Sequence, residues 1–147
     1  METIEKTYGD FFITTDRNKI DIVAVHDFLS NHSGWRDDMP FERFKTCVDN
    51  SLNFSLFHHH KQIGFARVIS DFSIFAYLDD FYVLNDYRGQ GLSKKLLDVI
   101  ISHPNLQNLN RWLLLTSSAH GLYEKYGFAK PLQPELFMEL YNPNPFD

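Results

Sequence analysis

The chain has 147 residues, 44% hydrophobic and 16% aromatic, with 14 phenylalanines and a formal net charge of −5. A domain of this length buries roughly 68–70% of its unfolded surface and holds a core without disulfide or metal; with Cys47 the sole cysteine, an internal disulfide is excluded. The acidic balance and scattered Lys and Arg speak against nucleic acid and anionic membrane as partners. Met1 to Asp10 mixes charged and polar residues without an apolar run, and no stretch approaches the ~20 apolar residues of a membrane span, so the expected location is cytoplasmic.

Phe11 to Thr15 reads as a short strand. Asp21 can cap a helix running to Asn31, in which Ile22, Val25, His26 and Leu29 share a face at i, i+3, i+4 and i+7. Ser33, Gly34 and Trp35 end it, and Pro40 suits the first position of a second helix with Phe41, Phe44 and Val48 on one face. Alternation from Leu52 to Phe57 predicts a half-buried strand, His58 to Gln62 a turn, and Ile63 to Ser70 the returning strand. Phe75 to Leu84 is apolar on both faces except at Asp79 and Asp80, as in a strand near the middle of a sheet. Helix Leu92 to Ser102, strand Arg111 to Thr116, short helix Ala119 to Tyr126 ending at Gly127, and a last strand Leu136 to Tyr141 complete the order. Strand, two helices, three strands, helix, strand, helix, strand is a mixed α/β arrangement.

Between the long strand and the following helix stands Asp86-Tyr87-Arg88-Gly89-Gln90-Gly91-Leu92-Ser93. Glycines at a strand-to-helix turn allow close backbone approach, and the first amides of a helix lack internal partners at the positive end of the dipole. This is a phosphate-binding arrangement, although a plain helix-capping turn would use similar residues. The terminal Gly-Lys-Ser/Thr of a P-loop is missing, and the glycine spacing of a dinucleotide fingerprint is incomplete.

Arg88-Gly89-Gln90-Gly91-Leu92-Ser93 resembles the Arg/Gln-x-x-Gly-x-Gly/Ala motif of the GNAT superfamily of acetyl-CoA-dependent N-acetyltransferases, with Ser93 where Gly or Ala is usual. His120-Gly121-Leu122-Tyr123-Glu124-Lys125-Tyr126-Gly127-Phe128 resembles that superfamily's Leu-Tyr-Glu-Lys-x-Gly-Phe segment. The resemblance implies a mostly antiparallel central sheet flanked by about four helices in a single domain over residues 1–147. It also implies acetyl-CoA as donor and a small-molecule or peptide amine as acceptor, with direct transfer and no metal. Superfamily members often pair, which makes a homodimer an expectation as well. The diphosphate is expected on the backbone of Arg88, Gly89, Gln90, Gly91, Leu92 and Ser93, and the pantetheine arm along Phe81, Tyr82 and Val83 between two splayed strands. A catalytically idle acyl-CoA-binding sensor, or a transferase of longer acyl chains, stays open as an alternative.

The same resemblance points to Tyr123 as the group that gives the leaving thiolate a proton, with packing beside the cofactor as the plainer role. An arriving ammonium must lose a proton. Of Asp79 and Asp80, adjacent on a strand and so facing opposite sides, Asp80 is preferred because it shares a face with Leu78 and Tyr82. The alternative for Asp80 is a structural carboxylate held by a backbone N–H or by Arg67. Trp35, between the first two helices, is a candidate acceptor contact. His58-His59-His60 suggests a metal, but adjacent residues in an exposed turn seldom converge on one ion, and no Cys or carboxylate cluster supports them.

Overall fold

Strand β5 (Phe75–Val83) runs through the interior of the sheet, as its near-continuous apolar character requires. The computed structural model describes residues 1–147. By their internal contacts these form two compact units, Met1–Leu114 and Leu115–Asp147.

The first unit holds a six-stranded sheet in the order β1 (Glu5–Tyr8), β2 (Phe11–Thr14), β3 (Leu52–His58), β4 (Lys61–Ser70), β5, β6 (Arg111–Leu114). Every neighbouring pair is antiparallel except β5 with β6. The parallel pair needs a crossover, supplied by helix α3 (Leu92–Ile101). Helices α1 (Ile22–Asn31) and α2 (Phe41–Asp49) lie between β2 and β3 in the chain. The core is aromatic and aliphatic: Phe44 of α2 meets Phe65 of β4 edge-on at 6.1 Å, and Phe54, Ile63, Leu96, Leu97 and Ile100 are fully buried. The second unit carries α4 (His120–Glu124) and a 3-10 turn at Pro134–Leu136. No helix is long and apolar enough to cross a membrane.

Most expected elements are present within a residue or two. Pro40 sits one position earlier than expected, as the cap of α2. Two strands differ. β1 was not anticipated, because Glu-Lys-Thr on an exposed edge shows no apolar alternation. The last strand, Leu136 to Tyr141, is absent: Leu136 closes a 3-10 turn, the following residues carry no regular structure, and Met138, Leu140 and Tyr141 are exposed. Alternating apolar residues make a strand only when a ladder partner receives their backbone groups, and here none does.

Candidate functional site

The parallel pairing of β5 with β6 stops at Leu78 with Leu114, whereas β5 continues to Val83. On its other side β5 stays paired with β4 as far as Val83 with Gly64. The close approach there depends on Gly64, since a Cβ at that position would lie 2.8 Å from the carbonyl oxygen of Tyr82. So Phe81, Tyr82 and Val83 form a stretch of β5 that lies beyond its ladder with β6.

Beyond Val83 a 3-10 turn at Asn85–Tyr87 leads into the glycine turn. Arg88 Nε donates to the Val83 carbonyl at 3.2 Å, fixing the turn to the strand end. Gly89 and Gly91 have φ of 81° and 77°, the left-handed region that favours glycine. Gly91 is the N-cap of α3 and offers no side-chain cap. The first i→i−4 bond, Lys95 N–H to Gly91 O, leaves the amides of Leu92 and Ser93 ahead of it without intrahelical acceptors. Arg88, Gly89, Gln90 and Gly91 are exposed, Ser93 is half-buried, and only Leu92 is buried. Nothing lies within 4 Å of where a Cβ would stand at Gly89 or Gly91, so the space over the turn is open. An open, positively polarised helix start of this kind fits an anionic group.

Upstream on β5, the expected alternation of Asp79 and Asp80 fails. The β4–β5 register shifts between Phe65 and Arg67, and Asp80 takes φ of 53°. A bulge of this kind re-aims side chains. Both carboxylates therefore meet one guanidinium: Arg67 Nε donates to Asp80 Oδ2 at 2.8 Å and Arg67 Nη2 to Asp79 Oδ2 at 3.0 Å. Arg36, from the loop between α1 and α2, pairs with Asp79 and places Nε 3.3 Å from Asp80 Oδ1. Asp80 is 3% exposed. With both oxygens facing guanidinium groups and almost no access to solvent, Asp80 has the surroundings of a structural carboxylate held by Arg67. Arg36 carries no sequence signal, and only the fold brings it to β5.

On the α1 side of β5 lies a recess of about 350 Å³, lined by Asp21, Asp27, Phe28, Gln62 and Tyr82 among others. Phe28 stacks on Tyr82, with ring centroids 3.8 Å apart, and Trp35 meets Phe28 edge-on at 6.4 Å. Burial, with Asp21 and Asp80 nearby, pushes the pKa of the Tyr82 phenol well up, so it stays neutral. Asp21 caps α1 by accepting from Ala24 N–H at 3.1 Å, and its own N–H donates to Gln62 Oε1 at 2.8 Å.

In the second unit, Tyr123 on α4 is buried, and its ring meets Phe128 edge-on at 5.9 Å. Burial raises its phenol to about 12. His120 begins the same helix.

A family model for the acetyltransferase (GNAT) domain matches residues 49–130. The chain belongs to the GNAT acetyltransferase family. Its fold superposes on the crystal structure of a GNAT-family protein from Xanthomonas campestris pv. campestris with a TM-score of 0.91 and 44% identity, covering 95% of this chain and 99% of that one. It is 33% identical over 114 residues to an uncharacterized N-acetyltransferase, ycf52, of Gracilaria tenuistipitata var. liui, covering 72% of this chain and 62% of that protein. A Gibberella zeae protein provisionally named an acetyltransferase is 26% identical over 141 residues, 81% of this chain and 78% of its own length. The GNAT assignment makes this chain an acetyltransferase by family, and its mixed, mostly antiparallel sheet agrees with the fold that the motifs implied.

Proposed function

We propose that this GNAT chain transfers an acetyl group from acetyl-CoA to a primary amine of a small-molecule or peptide acceptor, by direct attack and without a metal. The observation that carries the reading is Gly91: left-handed, uncapped and exposed at the start of α3, after a strand that runs on beyond its ladder with β6. A structural relative of 16% identity from Clostridium acetobutylicum was crystallised with acetyl-CoA, which agrees with this choice of donor.

In this mechanism the amides of the Arg88–Ser93 turn hold the diphosphate, and the Phe81–Val83 backbone aligns the pantetheine arm. The amine nitrogen bonds to the thioester carbon, the C–S bond breaks, and the electron pair leaves with sulfur. Backbone N–H groups near Tyr82 and Val83 polarise the carbonyl oxygen. The motif resemblance gives Tyr123 the role of hydrogen-bond donor to the departing thiolate, and the proton that the ammonium releases through water makes the thiol. A phenol at about 12 is a weak acid against a thiol of about 8.5, so Tyr123 acts first as a persistent hydrogen-bond donor. The ammonium proton leaves through water rather than to Asp80, whose carboxylate is engaged by Arg67 and Arg36. The recess beside Tyr82, with Asp21, Asp27, His32 and Lys61 among its walls, offers polar groups of both signs to an acceptor.

That engagement of Asp80 is also what favours the second reading, an acyl-CoA-binding module without turnover, since it removes the carboxylate that the sequence offered as base. Thiol release from acetyl-CoA across a panel of amines separates the two. Turnover with at least one amine, lowered roughly 10²–10⁴-fold in Tyr123→Phe with coenzyme A affinity kept, supports the enzyme. Binding without turnover on any amine supports the module.

A further inference from the structure

The β1–β2 turn brings a residue distant in sequence to the histidine turn that joins β3 and β4. Asp10, His58 and His59 each offer a ligand atom, and these atoms lie within 4.8 Å of one another. In sequence no carboxylate cluster supports the histidines; the turn between β1, which the sequence did not reveal, and β2 positions one carboxylate. We propose that Asp10, His58 and His59 form a binding site for a divalent transition-metal ion, of which Zn²⁺ is the reference case.

Two imidazoles and one carboxylate form a donor set suited to Zn²⁺, Ni²⁺ or Cu²⁺, not to Mg²⁺ or Ca²⁺, which prefer all-oxygen shells. The supporting shell is already in place. His58 Nδ1 lies 3.0 Å from the Tyr87 hydroxyl, which orients the ring and leaves Nε2 for a metal. Phe11 flanks the same ring at 5.0 Å and meets Tyr87 edge-on at 6.3 Å. The His59 N–H donates to the Asp10 carbonyl at 3.3 Å, tying the two turns together by backbone as well. His59 holds φ of 53°, and its ring lies 4.5 Å from that of His58. Asp10 and His59 are exposed, so water completes the coordination. Lys61 is the nearby cation, and its ammonium sits over the Tyr87 ring at 5.8 Å. Tyr87 closes the 3-10 turn that precedes Arg88 and Gly89, so an ion here steadies the approach to the glycine turn from outside it.

The test is calorimetric titration of ZnCl₂ into the full chain after chelator treatment, with MgCl₂ as control. The site predicts one Zn²⁺ per chain and no Mg²⁺ heat. Asp10→Asn and His59→Asn, the latter a residue that tolerates a left-handed backbone, should each abolish or sharply weaken binding. Tyr87→Phe should weaken it about 10–100-fold by removing the bond that orients His58. His60→Ala should leave it unchanged. Absence of Zn²⁺ binding, or equal binding in the Asp10 and His59 variants with the melting temperature preserved, would overturn the proposal.

Discussion

The backbone turns left-handed on both sides of the Phe81–Val83 stretch, at Asp80 and at Gly91, and the two places are built in opposite ways. At Asp80 a residue with a side chain accepts an unfavourable φ, and its buried carboxylate meets Arg67 and Arg36. At Gly91 no side chain opposes the same conformation, and the polar groups nearby face open space. Where charges are paired internally, the chain is holding itself together. Where polar groups are left exposed at a helix start, they are available to something else. The difference separates a structural bulge from the turn proposed to bind coenzyme A, a few residues apart on one strand–helix connection.

Removing one partner at the bulge should have the largest effect. Arg67→Met leaves two carboxylates, one of them buried, facing Arg36 alone, and should cost about 3–5 kcal/mol in urea unfolding. A change below about 1 kcal/mol would mean that the pairing does not hold the bulge. Gly64→Ala forces a methyl group against the Tyr82 carbonyl, a backbone atom that cannot swing aside, and should cost about 1–3 kcal/mol by the same measurement. Gly91→Ala meets no atom, so only its positive φ opposes it, at roughly 1–2 kcal/mol. If Gly91→Ala proved more damaging to the fold than Arg67→Met, the contrast between the two places would fail.

The glycine turn was legible in the sequence because glycine spacing reports backbone conformation directly. Helices α1 and α3 were legible because their apolar faces repeat at helical period. The bulge was not legible: alternation assigned Asp79 and Asp80 to opposite faces, and only a register shift against β4 turns both toward Arg67. Arg36 and Asp10 escaped for a related reason, since each gains its partners through pairings between segments far apart in sequence. The Leu136–Tyr141 segment shows the converse, a strand-like pattern without a strand.

A smaller effect belongs to pH. Tyr82 and Tyr123 both have phenols raised by burial. Their unfolded forms ionise near 10, before the folded ones, so the folded state binds more protons and stability falls as pH rises above about 10. Melting temperatures from pH 8 to 11 should decline on the alkaline side, and Tyr82→Phe should flatten the decline. A slope unchanged in that variant would remove Tyr82 from the explanation.

The most direct measurement is calorimetry of coenzyme A binding to the intact chain and to Gly91→Val. The account predicts one site per chain, weakened roughly 10–150-fold in the variant, the equivalent of one lost charge-assisted hydrogen bond. No binding to the unaltered protein, or equal affinity in both, would contradict the assignment of the Arg88–Ser93 turn.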